Sequence, residues 1–185
     1  MVIRKATLND AQAVATCLLL AMKSIIYKLI GEEDPENAKA FLLYFAAREN
    51  NQYSYQNCWI AEVENEVVAA VNVYDGAKLH PLRQPVLEYI KTNYGGNITP
   101  EDETHAGEYY IDSLGVNPNH QGKSIGTQLL QFLIEEYVTK RGETLGLLVD
   151  EENGSAKRLY LKLGFTSAGH KMLLGKRMEH LQIAG

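Results

Sequence analysis

A short run of small and polar residues near the middle of the chain has the composition of a phosphate-binding loop. It reads His120-Gln121-Gly122-Lys123-Ser124-Ile125-Gly126, and it separates strand-forming residues from a stretch with helical periodicity. A strand, a tight loop and the start of a helix bring several unpaired backbone N–H groups to one point, together with the positive end of the helix dipole. The run therefore predicts a cradle for a phosphate or pyrophosphate group.

Two common nucleotide-binding motifs do not fit this run. The Gly-Lys-Ser triplet that begins at Gly122 would need a glycine at position 117 to form a Walker loop, and the chain has Asn117 there. The dinucleotide fingerprint Gly-x-Gly-x-x-Gly is also absent. Acidic metal ligands are missing as well, so a phosphotransferase ranks third among the functions considered.

Two carboxylates and a tyrosine could transfer protons near this loop. Asp112 and Glu108 belong to the strand that precedes it, and Tyr160 to a later helix. A phenol, whose reference pKa is about 10, can donate a proton to a basic leaving group. Alternation with period two predicts that one face of the strand carries Glu108, Tyr110, Asp112, Leu114 and Val116. The alternative for Asp112 and Glu108 is a solvated or ion-paired carboxylate, and for Tyr160 a packed core residue.

The elements that must position these residues alternate between strands and helices. The central strand ends at Asn117-Pro118-Asn119, and apolar residues at helical spacing from Ile125 predict the helix that follows the loop. The apolar run 145–149 predicts a buried strand, and the spacing over 156–163 predicts a further helix. Earlier in the chain, the residues before and after Glu64-Asn65-Glu66 predict a hairpin. Residues 165–182 are expected to hold the last two strands.

Residues 76–107 form a less regular region within a single domain that spans residues 1–185. Pro81 and Pro85 predict a short helix, which Gly95-Gly96 would end. The following residues, up to Gly107, are expected to form an exposed acidic loop. This region is longer than a hairpin connection needs, so we interpret it as an insertion near the site, with a solvated loop of no consequence as the alternative.

Two segments of the chain resemble the GCN5-related N-acetyltransferase (GNAT) family. Residues 121–126 fill the six positions of its pyrophosphate loop, Gln/Arg-x-x-Gly-x-Gly/Ala, with Ser124 at the family's central glycine. A second family pattern, Asn-x-x-Ala-x-x-x-Tyr-x-x-x-Gly-Phe, is matched by Asn153, Ala156, Tyr160, Gly164 and Phe165. Two motifs in the family's order, separated by one helix and one strand, are more specific than either motif alone.

The resemblance implies an α/β domain with a mixed, mostly antiparallel twisted sheet and helices on both faces. It also implies an acetyltransferase that moves an acetyl group from acetyl-CoA to a primary amine of a small molecule or peptide, by direct attack in a ternary complex. A non-catalytic acyl-CoA-binding or regulatory module of the same fold is the main alternative. Ser124 favours that alternative, because its Cβ crowds the phosphates, whereas Asp112 and Tyr160 together oppose it.

The same resemblance assigns roles to individual residues. Asp112 is the favoured base for the amine and Glu108 the second choice, while Tyr160 is the acid for the thiolate. The cofactor-binding residues implied are Leu114, Gly115, Val116, Gln121, Gly122, Lys123, Ser124, Ile125, Gly126, Thr127, Asn153 and Tyr160. Among them, Asn153 would bond to the pantetheine arm or else cap the helix that starts at Gly154, and Ser124 could cap the helix after the loop.

Composition bounds the remaining expectations. A formal net charge of −5 disfavours nucleic-acid binding, and the 45% hydrophobic content is ordinary for a globular protein. No stretch approaches the roughly 20 apolar residues of a membrane span, and no signal peptide is recognised, so we expect a cytoplasmic protein, monomeric or homodimeric. We expect Cys17 and Cys58 to be buried free thiols. His105 and Glu108 suggest a metal site, but the other histidines are scattered in the sequence, so no metal is expected.

Overall fold

Seven strands form one sheet in the computed structural model, which describes residues 1–185. In chain order the strands are β1 (Val2–Lys5), β2 (Cys58–Val63), β3 (Glu66–Asp75), β4 (Tyr109–Val116), β5 (Leu145–Asp150), β6 (Thr166–Leu173) and β7 (Lys176–Ile183). Their order across the sheet is β1-β2-β3-β4-β5-β7-β6, and only β4 and β5 run parallel. The predicted mixed, mostly antiparallel sheet is confirmed.

Helices cover both faces of this sheet. They are α1 (Ala11–Ile30), α2 (Pro35–Ala46), α3 (Leu79–Tyr94), α4 (Ile125–Leu133) and α5 (Gly154–Lys162), and α4 continues as a π-helical turn over Ile134–Thr139. One apolar core joins α1, α2 and α3 to the sheet, and both cysteines are buried in it. The other core lies under α4 and α5. The predicted two-sided layering is therefore confirmed.

Helix α1 and the short turn before it form the most apolar segment of the chain. Leu8–Ile30 is long and apolar enough to cross a membrane by length and composition alone. The expectation that no stretch approaches a membrane span was therefore wrong for this segment. Many of its apolar residues are core residues in this fold, since Val14, Leu18 and Ile26 have no exposed surface, whereas Leu8 and Leu20 are exposed. The backbone of α1 departs from helical geometry at Met22 (φ −129°, ψ 26°), which places a kink beside the cleft described below.

The region 76–107 is more ordered than its sequence predicts. Helix α3 fills most of its first half, contains Pro85, and ends at Gly95 in a left-handed conformation (φ 65°). The prediction of an exposed acidic loop after Gly95 was wrong in part. Glu103 and Thr104 are only 5% and 2% exposed, because this segment packs into the molecule beside β3 and β4.

Candidate active site

The parallel strands β4 and β5 separate part of the way along the sheet. Their pairing runs from Tyr109 opposite Leu145 to Ile111 opposite Leu147 and then stops. Beyond that point, residues 113–116 of β4 stay paired with β3 but have no partner on the β5 side. Alternate N–H and C=O groups of this stretch therefore face a gap and are available to an extended ligand.

A cleft of about 500 Å³ fills this gap. Its walls include Asp112, Ser113 and Leu114 from β4, and further residues from β5, α1, α5 and the β6–β7 hairpin. The kinked part of α1 lies along it, since Ala21, Met22 and Ser24 are lining residues. The cleft is large enough to enclose the reacting end of a substrate of moderate size.

The loop after β4 presents free backbone donors beside the cleft. Gly122 and Ser124 are both left-handed, with φ of 75° and 60°, and α4 begins at Ile125. None of the N–H groups of residues 122–127 donates to another backbone group, as expected of a loop and the first turn of a helix. Residues 121–124 are exposed, so these donors and the α4 dipole face solvent. Ser124 makes no side-chain cap bond, so the interpretation of this residue as a helix cap was wrong.

A β-bulge in β4 changes which side chains face the cleft. Asn72 of β3 pairs with Ser113 and Val73 pairs with Ile111, so Asp112 is an extra residue in the ladder. As a result Tyr110 packs in a small cluster with Tyr74 and Leu79, whereas Leu114 and Val116 pack in the α4 core. The prediction that Glu108, Tyr110, Asp112, Leu114 and Val116 share one face was wrong, because strict alternation ends at the bulge.

Asp112 lies at the end of a buried polar network that sequence reasoning missed. The Asn72 amide donates to Asp112 at 3.1 Å and to the Gln52 carbonyl at 3.0 Å. The Gln52 side chain in turn donates to the Glu103 carboxylate at 2.6 Å, and Glu103 pairs with Arg83 at 3.0 Å. The charged groups of Arg83 and Glu103 are nearly inaccessible to solvent.

Burial and this network together shift the pKa of Asp112. Burial raises the pKa of Asp112 well above its usual range, and the nearby charge of Glu103 raises it further. Arg83 and the amides of Gln52 and Asn72 act in the opposite direction but do not cancel the shift. A carboxylate with a raised pKa is a stronger base than an ordinary aspartate, which suits proton abstraction near neutral pH.

Tyr160 and Asn153 lie on the α5 side of the same cleft. Tyr160 packs edge-on against Phe165 with ring centroids 5.8 Å apart, and burial raises the pKa of its hydroxyl. The phenol is therefore protonated at neutral pH. The Asn153 side chain caps α5, since its Oδ1 accepts from the N–H of Ala156 at 3.2 Å. Of the two interpretations of Asn153, the capping role is present in the structure.

Glu108 lies outside the lining of the cleft. Its carboxylate accepts hydrogen bonds from Thr104 (2.6 Å), His180 (2.9 Å) and Gln182 (2.7 Å). Burial raises the pKa of Glu108, but these bonds and the His180 ring outweigh burial, and the net shift is downward. Gly146 of β5 lies under this carboxylate, where a Cβ would come within 1.9 Å of Oε2. These contacts place Glu108 in a buried hydrogen-bonded network away from the cleft, whereas Asp112 lines the cleft.

His180 also corrects the expectation that the histidines are scattered. The fold brings it beside His105 and Glu108, with one potential ligand atom from each residue within 4.8 Å of the others. At this spacing the three atoms could coordinate one metal ion. We propose no metal here, because Glu108 already accepts three hydrogen bonds and His180 is one of the donors.

A seven-stranded sheet that opens beside a free helix N-terminus defines the class of protein. The family model described as "Acetyltransferase (GNAT) family" matches residues 24–165, which is most of the chain. The chain belongs to the GNAT family, as its two motifs predicted.

Individual relatives agree with this assignment. The N-alpha-acetyltransferase RimI of Mycobacterium tuberculosis is 30% identical over 121 residues, which cover 62% of this chain and 73% of RimI. A solved acetyltransferase is 27% identical with a TM-score of 0.80, over 100% of this chain and 99% of its own. The aminoglycoside acetyltransferase AAC(6′)-Ib, solved in complex with coenzyme A, shares the fold at 19% identity and a TM-score of 0.62, over 98% and 93%.

Of the network residues that sequence reasoning missed, only Asn72 could have been recognised from the sequence. Asn72 interrupts an otherwise apolar strand, and a polar residue in such a strand often has a buried partner. Glu103 cannot be distinguished by sequence from its neighbours Glu101 and Asp102, although it alone of the three is buried. Gln52 and Arg83 likewise look like surface residues until the fold brings them together.

Proposed function

We propose that this protein transfers an acetyl group from acetyl-CoA to a primary amine by direct attack within a ternary complex. The observation that carries the proposal is the opening between β4 and β5 directly beside the free N–H groups of residues 122–127. In this arrangement the pantetheine arm extends β4 at residues 114–116. The pyrophosphate accepts hydrogen bonds from the loop and the first turn of α4, and Lys123 adds positive charge outside it.

Asp112 acts first in the proposed reaction. The acceptor arrives as an ammonium ion, and its nitrogen can attack only after losing a proton. Asp112 takes this proton, directly or through a water molecule, and its raised pKa makes the transfer more favourable. The neutral nitrogen then forms a bond to the thioester carbon. Backbone N–H groups of residues 114–116 that face the gap stabilise the negative charge on the carbonyl oxygen.

Tyr160 acts as the intermediate collapses. The carbon–sulfur bond breaks, the electron pair leaves with the CoA sulfur, and the Tyr160 hydroxyl donates a proton to the thiolate. The second proton of the attacking nitrogen passes to solvent, and the amide product is neutral. Burial keeps Tyr160 in the protonated form that this step needs.

Two measurements test the proposal together. Calorimetry should detect acetyl-CoA binding, and thiol release should accelerate when primary amines are added from a panel that includes alkylamines, amino acids, polyamines and an alanine-initiated peptide. Binding without thiol release from any amine would instead support a non-catalytic acyl-CoA-binding module. Failure to bind acetyl-CoA at all would contradict both functions.

A further inference from the structure

The turn between β6 and β7 holds a bulky apolar residue in a backbone conformation that favours glycine. Leu173 pairs with Lys176, so the turn consists of Leu174 and Gly175 alone, with φ of 47° and 77°. Two-residue hairpin turns with positive φ at both positions are usually built from Asn-Gly or Gly-Gly. Leucine at the first position is strained, because its Cβ crowds the backbone. Strain of this kind persists where surrounding contacts impose it.

Charged side chains from two other elements hold the backbone of Leu174. Its N–H donates to Glu101 Oε2 at 2.7 Å, and its carbonyl accepts from Lys28 Nζ at 3.3 Å. Next to it, Lys171 Nζ donates to the carbonyl of Asp102 at 3.3 Å. The end of α1, the segment after α3 and the tip of the β6–β7 hairpin are thereby tied together. These ties hold the turn across one end of the active-site cleft.

Leu174 lies between two cavities. Together with Ile25 and Leu173, it lines both the active-site cleft and a second, much smaller space of about 20 Å³. The second space has room for about one water molecule. Most of its walls are apolar, and it reaches the buried pair of Arg83 and Glu103. Because Leu174 is one of three residues shared by the two linings, we expect removal of its side chain to open a connection between them.

Given the proposed acetyl transfer, on which this inference rests, we propose that Leu174 determines acceptor specificity by limiting the acceptor to small primary amines with a short apolar body. The mostly apolar walls of the second space disfavour a charged group there, because Arg83 and Glu103 already pair with each other and burying a charge without a partner is costly. The ties across the hairpin tip obstruct the path of a peptide that continues beyond its N-terminus. The strained turn therefore has a function, which is to hold an aliphatic side chain at this point.

The test compares wild type with Leu174→Gly across unbranched alkylamines from ethylamine to octylamine. Glycine suits the left-handed position and opens the second space. We expect kcat/KM of the wild type to fall as the amine lengthens. In Leu174→Gly, the ratio of kcat/KM for octylamine to that for ethylamine should rise by about tenfold, as for other changes of pocket size. Leu174→Asn creates an Asn-Gly turn and gives a second measurement if the glycine variant folds poorly.

Glu64→Asn is the matched control, because Glu64 and Asn65 form the β2–β3 turn with the same pair of positive φ angles (51° and 64°). This variant should be at least as stable as wild type and keep the wild-type amine profile. An unchanged amine profile in both Leu174 variants, with thiol release intact, would overturn the proposal. So would a wild-type preference for the alanine-initiated peptide, or a Leu174→Gly variant that gains activity with butyryl-CoA rather than with longer amines. Absence of thiol release from wild type with every amine would instead contradict the proposed function.

Discussion

The raised pKa of Asp112 makes its carboxylate a stronger base but lowers the stability of the fold when the carboxylate is ionised. Asp112 lies at a β-bulge, is half-buried, and is close to the carboxylate of Glu103 from a distant part of the chain. A carboxylic acid whose pKa is raised by folding stabilises the fold below its ordinary pKa. This contribution is lost as pH rises through the folded-state pKa. At neutral pH an ionised Asp112 therefore destabilises the protein, which is consistent with a residue kept for chemistry.

We predict that Asp112→Asn lowers kcat/KM for the amine by about 10²-fold at pH values above the folded-state pKa of Asp112 and below the pKa of the amine, because there the acceptor arrives protonated and an ionised Asp112 is needed to remove its proton. The deficit should shrink as pH approaches the pKa of the amine. The same variant should unfold at a higher temperature than wild type at neutral pH, since a half-buried charge close to Glu103 is removed. Steady-state kinetics across pH and thermal unfolding measure the two effects. A variant that keeps the wild-type pH profile would exclude Asp112 as the base.

A substitution at Tyr160 distinguishes a catalytic role of its hydroxyl from a packing role of its ring. Tyr160→Phe should lower kcat by roughly 10²-fold and leave acetyl-CoA affinity nearly unchanged, because only a proton donated in the transition state is lost. The ring remains to pack against Phe165, so stability should change little. Steady-state kinetics and calorimetry on the same preparation measure kcat and acetyl-CoA affinity. Full activity would mean that water protonates the thiolate.

At the scale of elements, the loop after β4 and the first turn of α4 together form the proposed binding site for the pyrophosphate. Gly126 lies in the first turn of α4, where an added Cβ would make ordinary contacts with Leu114 and Val116 at 3.5 and 3.6 Å. We predict that Gly126→Asp weakens acetyl-CoA binding at least about tenfold, or ~1.4 kcal/mol, because it places a negative charge beside the pyrophosphate. Gly126→Ala adds the Cβ without the charge and should bind within about threefold of wild type. Equal affinity in all three proteins would place the pyrophosphate elsewhere.

Ser124 allows a second test of the same element. Its φ of 60° costs a residue with a Cβ about 1 kcal/mol, and glycine avoids this cost. Because glycine also loses more backbone entropy on folding, we predict that Ser124→Gly raises the free energy of unfolding by no more than about 1 kcal/mol. Acetyl-CoA affinity should stay the same or increase. A large loss of affinity would show that the Ser124 hydroxyl contacts the ligand directly.

At the scale of the whole molecule, Glu108 joins three parts of the chain that are distant in sequence. Its bonds connect Thr104 after α3 and His180 on β7 to the start of β4. Because the net pKa shift of Glu108 is downward, its contribution to stability is present above its ordinary pKa. This contribution is lost as pH falls through the lower folded-state value. The centre of the fold should therefore loosen in acid.

We predict that Glu108→Gln lowers the free energy of unfolding at neutral pH by about 2–4 kcal/mol, because an amide nitrogen would face donors and a buried pair would be broken. The fraction of the Glu108→Gln variant that stays folded should keep the wild-type dependence of kcat/KM on pH. Chemical denaturation and pH-dependent kinetics measure these two properties. A changed pH profile in Glu108→Gln, with Asp112→Asn normal, would make Glu108 the base.

Features that depend on neighbouring residues were determined by the sequence alone. The positions of glycines and the spacing of apolar residues predict the loop over 121–126, the hairpin of β2 and β3, and helix α5, which stops before Gly164. Local backbone preference and side-chain periodicity act over a few residues. The two family motifs extended these local features to the correct fold, a mixed and mostly antiparallel sheet with helices on both faces.

The tertiary structure decided which of these residues share a site. A single extra residue in β4 moved Leu114 and Val116 to the face opposite Tyr110, a shift that no alternation rule predicts because it depends on pairing with β3. Burial of Glu103, and the meeting of Glu108 with His180, likewise depend on segments far apart in the chain. Charge and solvation of a carboxylate are properties of its surroundings, and only the folded chain creates those surroundings.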